Sequence, residues 1–164
     1  IENYLLSIDS VIIRKKSLDN ILGGYIFNDN FKISEEADLF IRILFKWDFD
    51  FYPAPLSKRR IHDNNLTKDN RMELINENIM LIENIINLIP NFEIKYDKSL
   101  EKNKLWIINM KAVYFIQKNQ NNKARNLLKT KFLTNKKSFI LFFITLFPNF
   151  ISSFIISLFK KTEY

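Results

Sequence analysis

SVIIRKKSLDNILGGYIFNDNFKISEEADLFIRILFKWDFDFYPAPLSKRRIHDNNLT, residues 10–67, is the stretch on which the fold class turns. Together with Ile8 and Asp9, its β-branched start reads as a short strand over 8–14 (IDSVIIR). Residues 17–22 have room for one or two helical turns, stopped by Gly23-Gly24. An aromatic, polar loop follows over 25–33. Ser34 then stands at an N-cap position, with Glu35, Glu36 and Asp38 in the first turn, where carboxylates suit the positive end of a helix. This helix is expected to run to about Lys46, with Phe40, Leu44 and Trp47 on one face. Residues 48–52 (DFDFY) alternate like a strand, and Pro53 and Pro55 stop it. Residues 56–69 form a basic, Asn-rich loop.

Downstream the pattern becomes helical. Ile75, Ile79, Ile82, Ile86 and Ile89 recur at spacings of four and three, which predicts a helix with an apolar stripe, ended by Pro90. Further helices are expected over 101–118 and 122–132. No internal repeat is visible.

Residues 138–159 (SFILFFITLFPNFISSFIISLF) carry no charge and are flanked by Lys136-Lys137 and Lys160-Lys161. The run meets the length needed to span a bilayer. Pro148-Asn149 in its middle fits two short helices equally well. Those could lie in a headgroup plane, with phenylalanines down and lysines on phosphates, or pack in a core. The expected organisation is thus 1–68, then a helical extension over 69–134, then an apolar, Lys-flanked tail over 135–164.

Composition excludes more than it names. The 164 residues contain no cysteine, so disulfides, thiolate nucleophiles and Cys-ligated metals are ruled out. His62 is the single histidine, which excludes a multi-His metal site. The two glycines are adjacent, so neither a Walker loop nor a G-x-G-x-x-G can be written. Charge is uneven: residues 1–100 are net −3 and residues 101–164 net +10. An anionic partner for the C-terminal third follows, either membrane headgroups or nucleic acid. Aromatics there cluster apart from the lysines, and no nucleic-acid-binding signature is present, so nucleic acid is the weaker choice.

Several elements of residues 10–67 stand together in a familiar order. A strand ends in basic residues at Arg14, and Leu22-Gly23-Gly24-Tyr25 opens a loop reaching Phe31. Glu35-Glu36-Ala37-Asp38-Leu39-Phe40-Ile41-Arg42 starts a helix, and Arg60-Ile61-His62-Asp63-Asn64-Asn65-Leu66-Thr67 lies in a later loop. This array resembles the second half of the catalytic domain of family 2 glycosyltransferases of the GT-A type. The fold class expected from it is α/β, the trailing part of a GT-A sheet followed by a mainly helical region.

The resemblance implies an inverting sugar transfer from a nucleotide-sugar donor to an acceptor hydroxyl, glycan or lipid-linked, in bacterial cell-surface polysaccharide synthesis. Glu36 stands where the family has its general base, usually an Asp, and Asp38 is the fallback. The two lie about 200° apart on an ideal helix, so one alone faces a site. Arg60 and His62 match the loop that closes on the donor diphosphate, with His62 also a candidate metal ligand. Gly23, Gly24 and Glu35 belong to the acceptor loop. Arg42 is expected to pair with an acid on its own helix face, and Trp47 to be core.

A divalent metal, Mg2+ or Mn2+, is implied for the complete enzyme. The family's metal aspartates precede the matched region, and Asp48-Phe49-Asp50 reads as a coincidental D-x-D. Beginning at Ile1 without Met, the chain is expected to be a fragment lacking the nucleotide-binding half, inactive alone and without bound metal. The expected location is cytoplasmic, on the inner face of the plasma membrane through residues 131–164. The competing reading is a basic helical module for membrane or nucleic acid, without catalysis.

Overall fold

The computed structural model describes Leu6 and residues 8–55, 57–58 and 70–160. Among them no residue lies in a strand, which overturns the α/β expectation of a GT-A sheet. Residues 8–10 form a 3-10 turn and Lys15–Ser17 another, and 11–14 between them pair with no strand among the described residues. Residues 48–52 are likewise unpaired, with Phe49, Phe51 and Tyr52 exposed. The reason is physical: an extended segment satisfies its backbone only through a neighbouring ladder, whereas a helix closes its bonds locally. Asp50 even diverts the Phe51 N–H to its own carboxylate at 2.8 Å.

The chain divides into two compact units, one reaching to Asp97 and the other starting at Lys98. The boundary falls inside the helical extension expected over 69–134.

The first unit holds α1 (Glu35–Leu44), α2 (Arg71–Leu88) and the single-turn α3 (Phe92–Lys95). Phe31 and Ala37 pack with Leu81, Ile85 and Ile89 of the second helix and its cap to form its core. On α1, Phe40 is buried as expected, but Leu44 is exposed and Trp47 lies beyond the helix end. The buried line on α2 is also rotated. It runs through Ile75, Asn78, Leu81 and Ile85 to Ile89, while Ile79, Ile82 and Ile86 are only half-buried. An apolar residue is available on several faces of this helix, so its partner decides which face turns inward.

The second unit holds α4 (Asp97–Gln117), α5 (Asn121–Leu128), α6 (Lys136–Ile144) and α7 (Asn149–Lys160). Asn119 adopts φ 57° after α4, with Asn119 N–H bonded to Ile116 and Gln120 N–H to Phe115. That is a Schellman stop, with asparagine supplying the left-handed residue. Ala112, Ile116, Ala124, Leu128, Leu141, Ile144 and Ile156 make the core. The uncharged run is two helices of 9 and 12 residues meeting at Pro148, and no described helix is long and apolar enough to cross a membrane. Asn121 Nδ2 lies 2.9 Å from Ser152 Oγ and 3.0 Å from Phe147 O, and Arg125 donates to Thr145 O. The carbonyls left open where α6 ends therefore find donors on α5.

Candidate functional site

The three acids that open α1 have separate fates. Asp38 is fully buried and forms an ion pair with Arg42, one turn on, at 2.7 Å. Its other oxygen accepts from Asn84 Nδ2 at 2.9 Å. Arg42 is fully buried too, and each of its three side-chain nitrogens donates at least one hydrogen bond. Nε and one N–H of Nη2 serve Asp38, Nη1 serves the carbonyls of Leu22 (2.9 Å) and Tyr25 (2.6 Å), and Nη2 also serves Ile26 (2.7 Å). The Tyr25 ring lies under the guanidinium, 4.1 Å from Cζ to centroid, and its hydroxyl accepts from Asn84 at 2.8 Å. A buried guanidinium is tolerated because each of its nitrogens is hydrogen-bonded and its charge is paired with Asp38.

This knot answers two expectations. Arg42 does pair with an acid on its own helix face. Asp38, the fallback base, is fully buried with both oxygens bonded inside the protein, to Arg42 and Asn84.

Glu36 points elsewhere. It is half-buried, and Oε2 lies 3.3 Å from the Ile8 N–H. Glu35, beside it, has one buried carboxylate oxygen, Oε2, with no hydrogen-bond partner among the described residues. Of the two, Glu36 lies on the flank away from the Asp38–Arg42 pair, about 200° from Asp38, and Glu35 lies about 60° from Asp38.

Gly23 and Gly24 form the bend that the Arg42 donors hold. Both have positive φ, 87° and 73°. A Cβ on Gly23 would sit 2.7 Å from a Tyr25 ring carbon, whereas one on Gly24 would meet open space. Gly23→Ala is expected to lower the stability of the first unit by about 1–3 kcal/mol, combining backbone strain with the ring contact. Gly24→Ala is expected to cost about 1 kcal/mol, from φ alone. Urea denaturation of the two variants side by side checks the order; equal losses would remove the role given to the Tyr25 ring.

The cap of α1 was not foreseen. Ser34 occupies the N-cap, but its side chain makes no capping bond. The carboxylate of Glu77, from α2, instead holds the backbone that leads into the helix. It accepts the N–H groups of Lys32 (2.8 Å), Ile33 (3.0 Å) and Ser34 (2.8 Å) while itself almost fully buried. Three donors and the positive helix end offset its desolvation. Glu77→Gln keeps the shape but turns one acceptor into a donor facing N–H groups. The expected loss is about 2–3 kcal/mol, against less than about 0.5 kcal/mol for the exposed Glu73→Gln; matched denaturation curves would show it. Glu77 and Asn84, the two α2 residues that serve α1, are seven positions apart and so share a face. That polar pair inside an isoleucine-rich helix was the signal available in the sequence.

Arg60 and His62 lie outside the described residues. Among the described ones, no three His, Asp or Glu side chains gather as a metal site. Asp48 and Asp50 sit on the exposed, unpaired segment, and the described residues form no holder for the implied metal. No protein-family model, curated protein or solved structure matches the chain.

Proposed function

We propose that the first unit carries the acceptor-activating part of an inverting sugar transferase, with Glu36 as the general base. The observation that supports this is the division of labour on α1. Asp38 is committed to Arg42 and Asn84, while Glu36, about 200° round the helix, holds its carboxylate on a half-exposed flank. A buried, unpartnered carboxylate oxygen on Glu35 is a costly feature that a sugar hydroxyl donor would relieve.

In the proposed step an acceptor hydroxyl oxygen forms a bond to the anomeric carbon of the donor sugar. The bond from that carbon to the phosphate oxygen breaks, and its electron pair leaves on the nucleoside diphosphate. The hydroxyl proton passes to Glu36. Glu35 and the Gly23-Gly24 bend orient the acceptor, and Arg42 positions that bend through Leu22, Tyr25 and Ile26. Arg60 and His62 are assigned by the resemblance to the departing diphosphate. The test is transfer from nucleotide sugars by the complete reading frame carrying these residues, with and without Glu36→Gln.

A further inference from the structure

We infer that the α6–α7 hairpin docks on an anionic lipid bilayer. The hairpin has its polarity reversed relative to an ordinary surface helix pair. Ser138, Thr145 and Ser152 are fully buried, where they bond Asn109, the Phe142 carbonyl and the Ile144 carbonyl. The opposite face is apolar and open. On α6 and the turn after it, Ile140, Phe143 and Phe147 are 54%, 46% and 51% exposed. On α7, Phe150, Phe154 and Leu158 are 74%, 63% and 51% exposed. Their spacings place each set on one helix face, and on α7 that face lies opposite the buried Ser152 and Ile156. An outward run of this size on a helix pair marks an interaction surface.

Charge selects the occupant. Residues 102–162 contain no Asp or Glu, and exposed Lys136 and Lys137 open α6 at the edge of the apolar face. A second copy would bring two basic surfaces together, which is unfavourable. A bilayer with anionic headgroups accepts both parts, phenylalanines at the acyl boundary and ammonium groups on phosphates. A shallow hollow of about 340 Å3 beside Lys136, walled by Phe132, Leu133, Phe139 and Ile140, adds apolar surface at the same edge. Neither helix is long enough to span, so the hairpin lies in the interface plane.

Flotation of the full chain with phosphatidylcholine vesicles, with and without phosphatidylglycerol, tests this. Binding is expected with phosphatidylglycerol and is expected to weaken with added salt. The double substitution F150S/F154S, and separately K136E/K137E, are expected to lower partitioning at least about tenfold. Both pairs are exposed, so circular dichroism and melting should match the parent. Three outcomes overturn the inference: no vesicle binding by the parent chain, self-association in its place, or vesicle binding that both double variants retain in full. Glu36→Gln is expected to leave flotation unchanged, so the transferase proposal and this one fail separately.

Discussion

Arg42→Leu is expected to destabilise the first unit by about 3–5 kcal/mol. In a Trp106→Phe background, the fluorescence of Trp47 reports the unfolding of that unit in urea. The magnitude follows from what the guanidinium serves. Removing it leaves the Asp38 carboxylate buried with Asn84 as its remaining side-chain partner, and strips donors from the carbonyls of Leu22, Tyr25 and Ile26. Each unsatisfied buried group costs about 1–3 kcal/mol, partly recovered by relaxation or water. Arg42→Lys should recover only part, because one ammonium cannot reach four groups spread around a planar fork. The double variant D38L/R42L removes the stranded charge but still leaves three carbonyls without their donor. It is expected to stay about 2 kcal/mol below the parent. A loss under about 1 kcal/mol for Arg42→Leu would show that the knot is ornamental to the fold.

Glu36→Gln is expected to slow sugar transfer by about 100- to 10,000-fold, equivalent to roughly 3–5 kcal/mol of barrier. Stability is expected to hold to within about 1 kcal/mol, since the carboxylate is half-exposed and glutamine keeps the side chain's length. Nucleotide-sugar affinity, read by calorimetry on the complete reading frame, should also hold, because the base acts on the acceptor. Glu36→Asp is expected to fall between the two, its carboxylate retained but drawn back by one methylene. A Glu36→Gln enzyme transferring at the parent rate would remove the transferase reading. A rate lost together with the melting transition would place Glu36 in the structure instead of the chemistry.

The elements differ in how far they could be read beforehand. Helix ends were legible where single residues control the backbone: Pro90 ends α2, and Pro148 separates α6 from α7. The Arg42 ion pair was legible because four-residue spacing puts two side chains on one face. The divergence of Glu36 and Asp38 was legible for the same geometric reason. The strands over 8–14 and 48–52 were not, because alternation describes a strand's faces but says nothing of whether a neighbour is present to pair with it. That Ser138, Thr145 and Ser152 form the buried side of α6 and α7 was not legible either, since hydroxyls are buried only where the fold supplies acceptors.

Local chemistry in the chain therefore determined where helices start and stop, which acids open α1, and the basic, uncharged-cored pattern of the last third. Those features depend on backbone angles and on neighbours a few positions away. Tertiary structure alone decided which face of α2 turns inward, that Glu77 holds the backbone entering α1 from 43 residues beyond Ser34, and that Arg42 gathers three carbonyls of the glycine loop. Each of these is a choice among partners of similar local suitability, and burial settles it. A group removed from water must find its bond wherever the fold brings one.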